Sequence, residues 1–169
     1  MPAILYAGIG VTAALSCLWD VRERRIPNAL TFGSAAAALA VHALGGGGAA
    51  AATAVAGWTV GLLLFVPWFA AGGMGAGDVK LLAAFGAWLG PLEILWAALF
   101  AMAAGGVVAL AAAILRGQAR RTLTDTWLLA MALRLGAGEG HARHARERSG
   151  GIAYALPVAA GVGLTLWLR

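Results

Sequence analysis

Apolar runs close to the width of a bilayer recur along this chain, and that recurrence constrains the fold more than any single motif. The hydrocarbon core of a membrane is about 30 Å thick, so a crossing helix needs roughly 20 apolar residues. Runs of this kind lie at about 2–19, 29–44, 49–71, 79–90, 91–115 and 152–168. They predict an all-α integral membrane protein with six transmembrane helices, forming a single polytopic domain over residues 1–169. Composition agrees, since 62% of the residues are hydrophobic and only 11% are charged, a membrane-class balance. The net charge of +5 does not point to nucleic acid, because the basic residues are not interleaved with stacking aromatics. Cys17 is the single cysteine, so neither an internal disulfide nor a cysteine-based metal site is available.

The punctuation between runs has physical causes. The N-terminal run lacks the cationic n-region of a signal peptide and reads as a retained first helix. Pro27 fits the first turn of a helix, where its missing N–H costs nothing. Four glycines at 45–48 cannot hold a helix and predict a turn; with no following Lys-Ser/Thr and no strand, they do not read as a phosphate cradle. Gly90 and Pro91 predict one helix ending and the next beginning.

Topology follows from the cationic residues, which accumulate in cytoplasmic loops. Arg22, Arg24 and Arg25 follow the first run, Lys80 opens the fourth, and Arg116, Arg120, Arg121, Arg134, Arg143, Arg146 and Arg148 lie between the fifth and sixth, so eleven of the twelve share one side. Only Arg169 falls on the other. The expectation is a multi-pass protein of the cytoplasmic (inner) membrane with both termini outside. The loop 116–151 contains an apolar stretch from Trp127 to Leu133 that is too short to span and predicts a helix lying in the cytoplasmic interface. His141 and His144 beyond it sit in a Gly-flanked, Arg-rich segment, which reads as solvated loop, and no metal is expected.

Ionisable residues at membrane depth cost about 2.5–3.5 kcal/mol at a helix centre and are functional candidates by default. Asp125 reads as part of a helix cap made by Thr124 or Asp125, and Glu93 as a carboxylate favouring the helix start it occupies. Asp20 and Asp78 differ in sharing the cytoplasmic side. Each has a structural reading: Asp20 paired with Arg22 or Arg24, Asp78 capping its helix or paired with Lys80. Helix length shifts the balance, because Val79 to Gly90 rises only about 18 Å. Either that helix continues past Gly90-Pro91, or the segment from Gly73 to Asp78 is recessed into the bilayer. Gly73, Gly75 and Gly77 favour recession, since glycine permits close approach and positive φ and irregular backbone survives at depth only beside protein or a wet cavity. Two carboxylates meeting there share a proton, one acting as base toward water and the other donating to a carbonyl.

These residues resemble a known family. Gly75-Ala76-Gly77-Asp78 matches the G-x-G-D signature of type IV prepilin peptidases, with Lys80 and an apolar tail following. The segment Asp20 to Asn28, DVRERRIPN, is similar to that family's first motif, and YALPVAAG at 154–161 to its last helix. Membership implies a membrane aspartyl endopeptidase, without cofactor, that removes the basic leader of type IV prepilins or related proteins of a pilus system at the cytoplasmic face. Asp20 and Asp78 would be the catalytic pair; Gly75, Gly77, Lys80, Pro27 and Asn28 would shape the site. Lys80 either anchors at the interface or holds Asp78 ionised. With one cysteine, the chain resembles the short form that lacks the Cys-x-x-Cys domain, as in tight-adherence pilus systems or archaeal preflagellin peptidases, and methylation of the product is not implied. Ala153 stands where relatives often carry proline. The substrate, a leader followed by an apolar helix, and membrane lipid are the expected partners, with the Arg-rich segment 118–135 meeting anionic headgroups. Outside this class, a small transporter or channel component, or a non-catalytic subunit of a pilus or secretion machine, would also use six helices with glycine breaks.

Overall fold

The computed structural model describes residues 2–70, 74–115, 117, 124, 127, 131 and 155–168. Five helices can be bounded among the described residues: α1 (Pro2–Glu23), α2 (Asn28–Ala70), α3 (Ala76–Leu89), α4 (Pro91–Leu115) and α5 (Ala155–Trp167). The fold is all-α, and α1, α2 and α4 are each long and apolar enough to cross a membrane. Of the interfacial helix expected within 116–151, only Thr124, Trp127 and Met131 are described, each helical and exposed. Asp125, His141, His144 and Ala153 lie outside the described residues.

Several boundaries differ from the sequence reading. The second and third apolar runs form one element, and three of the four glycines at 45–48 are helical; Gly47 alone departs, at φ 66° and ψ −158°. That one residue reverses the chain. Along a straight helix Thr31 and Trp58 would stand about 40 Å apart at 1.5 Å per residue, yet both line one small cavity with Phe32, Leu62 and Lys80. Residues 28–46 and 48–70 are therefore two limbs folded back on each other, and glycine supplies the positive φ that the corner requires.

α3 fits between these limbs and makes its most extensive contact with α2. Every residue from Leu81 to Trp88 is buried, as expected of a helix that is apolar all round. On the limb 48–70, Gly57 and Gly86 face each other so closely that a Cβ on either would run into the other's carbonyl oxygen, and a Cβ at Gly61 would lie 2.8 Å from the Leu82 carbonyl oxygen. On the limb 28–46, His42 Nε2 meets the Trp88 carbonyl at 3.3 Å. The Trp88 indole N–H donates to Ser34 Oγ at 2.8 Å, and Ser34 bonds the Thr12 hydroxyl at 2.7 Å. The Trp88 ring also covers Gly8, leaving no room for a Cβ. This polar seam sets the register of α1, α2 and α3 at one end of the bundle.

α3 does not continue into α4. Gly90, at φ 88° and ψ 173°, terminates it with its N–H on the Gly86 carbonyl, and Pro91 opens α4. At 14 residues α3 is about 21 Å long, much shorter than α1 or α4. α5 packs chiefly on α4, where Gly161 seats against Ala97 and Ala101.

Candidate active site

At the end of the bundle opposite the Trp88 seam, the last turn of α1, the start of α2, the start of α3 and the start of α5 come together. α1 runs on to Glu23 and stops where Arg24 takes φ 50°, so Asp20 lies inside the final turn rather than closing the helix. Its side chain turns inward and is 6% exposed. Asp20 Oδ2 accepts the Ala155 N–H at 2.9 Å, and not an arginine, as one structural reading had it. Polar and small residues at Gly8, Thr12, Ser16 and Asp20 recur at four-residue spacing, which places them on one face of α1, and the last three are buried.

Asp78 is the third residue of α3, not the residue before it. Gly75 is the N-cap, with an extended backbone of φ −77° and ψ 146°. The Asp78 N–H reaches the Gly75 carbonyl at 3.2 Å, and the Asp78 carboxylate lies against the Gly75 backbone. The expectation of positive φ at the described glycines of the motif is corrected, since Gly75 is extended and Gly77 lies within the helix. Space is what Gly75 provides: a Cβ there would sit 2.9 Å from Asp78 Oδ2. Gly77 is less crowded, with a Cβ meeting Ile26 at 3.4 Å.

The two sequence blocks meet at several residues. Asp20 and Asp78 lie within electrostatic reach of each other across α1 and α3. Ile26 packs over Gly77, and Lys80 Nζ donates to Asn28 Oδ1 at 2.9 Å. Lys80 also lies 5.6 Å from the centroid of the Phe32 ring, within cation–π range. Its ammonium is thus committed to α2 and not to Asp78, which corrects the suggestion of a Lys80–Asp78 pair. Pro27 precedes α2 rather than forming its first turn: its carbonyl accepts the N–H groups of Leu30 at 3.1 Å and Thr31 at 3.3 Å. Proline suits that place too, having no N–H to leave unsatisfied. Glu93 occupies the first turn of α4, at the other end of the bundle. No cluster of three metal-ligating side chains occurs among the described residues.

A sequence model of the type IV leader peptidase family matches residues 7–110, more than half of the chain. The chain belongs to the type IV leader peptidase family. It is therefore a membrane protein and a protease of the class that acts on prepilin-type leaders. Neither a curated protein nor a solved structure matches it. The matched stretch of this leader peptidase contains both aspartates and ends before α5. Ala155, the donor to Asp20, is the site residue that sequence reasoning missed. The Pro-containing segment 154–161 draws attention to α5, but an alanine carries no side-chain signal.

Proposed function

We propose that this leader peptidase is an aspartyl endopeptidase in which Asp20 and Asp78 activate water to cleave the basic leader of a type IV prepilin or prepilin-like protein at the cytoplasmic face. The observation that carries the reading is the convergence of two distant sequence blocks, with Asp20 within electrostatic reach of Asp78, Ile26 on Gly77 and Asn28 on Lys80. In this mechanism one carboxylate takes a proton from water as the oxygen attacks the scissile carbonyl, while the other, protonated, donates to the developing oxyanion. Collapse of the tetrahedral intermediate breaks the C–N bond, and the carboxyl that took the water proton returns it to the leaving amine. Gly75 gives the Asp78 carboxylate its space, while Asn28 and Lys80 hold the α2 and α3 starts together.

The two limbs of α2 together with α1, α3, α4 and α5 make six passes, which we read as a single polytopic domain in the inner membrane with both termini outside. Arg22, Arg24 and Arg25 then lie on the cytoplasmic side with the aspartates. Because α3 is about 21 Å long and hydrocarbon is about 30 Å thick, its Asp78 end would sit below the surface, in a wet niche beside Asp20. The Arg-rich segment 118–135 would rest on anionic headgroups.

Co-expression with a candidate prepilin in membranes tests this, with leader removal followed by gel shift and N-terminal sequencing. Asp20→Ala and Asp78→Ala are each expected to abolish processing, and Asp125→Ala to leave it intact. Unchanged processing by Asp20→Ala would refute the pair.

A further inference from the structure

The last helix enters the candidate site through its backbone. The bond from the Ala155 N–H to Asp20 Oδ2 is buried and joins residues 135 positions apart. Ala155 opens the described part of α5 and is itself fully buried. Its N–H is one of the four at a helix start that no carbonyl of the same helix can accept, so a carboxylate placed there satisfies it. Asp20 gains in turn, because a donor fixed in a helix restricts rotation of the carboxylate in a way that water would not.

The position of that donor is set at a distance. A Cβ at Gly161 would lie 2.5 Å from the Ala101 nitrogen and 2.6 Å from the Ala97 carbonyl oxygen, so α5 is seated against the backbone of α4. Val158 and Val162 are buried in the same core. Gly161 is six positions beyond Ala155, about 9 Å of helix, short enough for the seat on α4 to fix where that N–H points.

We propose that the Ala155 N–H is a positioning donor for the Asp20 carboxylate, holding Oδ2 so that Oδ1 faces water, and that docking of α5 on α4 sets this alignment. The proposal rests on the Asp20/Asp78 reading and adds a residue outside both aspartate blocks. It makes α5 a working part of the site and not only a length of chain in the bilayer.

The test uses the full chain in lipid nanodiscs with a prepilin substrate carrying its leader and apolar helix. Ala155→Pro deletes the N–H near the start of α5, in the first turn where proline is tolerated. Incorporation of lactic acid at 155 replaces the N–H by an ester oxygen with the methyl group kept, and Ala155→Gly keeps the donor but removes the methyl. The ester and proline chains are expected to lose about tenfold to a hundredfold in kcat with KM within about twofold, the scale of a lost hydrogen bond to a charged group. The glycine variant should stay within about threefold of wild type, since its donor remains. If the proline chain unfolds, the ester chain decides; wild-type kcat in it would overturn the proposal. Asp20→Ala runs alongside. Full activity there would remove the aspartate pair and this proposal together, whereas an inactive Asp20→Ala with a wild-type ester chain would remove only the role of Ala155.

Discussion

Gly75 and Gly77 occupy equivalent places in the pattern Gly-x-Gly-Asp, but they are not equivalent in space. A methyl group at 75 meets the Asp78 carboxylate at 2.9 Å, whereas one at 77 meets the Ile26 side chain at 3.4 Å, which can yield by a few tenths of an ångström. Neither position needs glycine for its dihedral angles. Gly75→Ala is therefore expected to displace the carboxylate and lower kcat by about 10–100-fold, the effect of a misplaced catalytic group, with little change in thermal stability. Gly77→Ala should retain most activity. Equal losses in the two variants would show that the crowding at 75 is not what matters. At this scale the sequence is informative about which residues carry charge, because an aspartate in an apolar run is rare enough to notice. It is uninformative about what they touch: Lys80 is two residues from Asp78 yet bonds Asn28, because positions two apart on a helix face different sides.

Helix α3 owes its burial to glycines on both sides of its contact with the second limb of α2. At Gly57 and Gly86 the two backbones approach so closely that any side chain would overlap a carbonyl. Gly57→Ala should therefore destabilise the folded state by about 1–3 kcal/mol, the usual cost of overpacking, lowering the unfolding midpoint in detergent. Gly33→Ala is the control, because a Cβ there meets nothing within 4 Å. Should both variants unfold at the wild-type midpoint, the close approach of α2 and α3 would be wrong. The break at Gly90-Pro91 is legible in the sequence because its chemistry is local. The corner in α2 is only half legible, since four successive glycines announce a turn but only tertiary packing selects Gly47 as the residue that makes it.

As a whole the molecule has two ends of different character. One gathers Asp20, Asn28, Asp78, Lys80 and Ala155; the other holds Gly8, Gly47, Trp88 and the Gly90-Pro91 break. If α2 crosses the membrane twice, positions 24 and 48 lie on opposite sides of it. In a Cys17→Ser background, a membrane-impermeant maleimide should label Arg24→Cys only in inverted vesicles and Gly48→Cys only in intact cells. Labelling of both from one side would eliminate the two-pass reading of α2. The number of apolar runs and their alternation can be read from hydropathy, because the bilayer imposes a length. How the runs are brought together cannot, since the contacts that close the bundle span up to 135 residues and leave no local periodicity. The bond from Ala155 to Asp20 also has a consequence for biosynthesis. A ribosome makes Asp20 long before Ala155, by on the order of ten seconds at about 5–20 residues per second. If the Ala155 N–H orients Asp20 as proposed, a nascent peptidase whose α5 has not yet inserted holds both aspartates without that donor and cleaves more slowly than the finished chain.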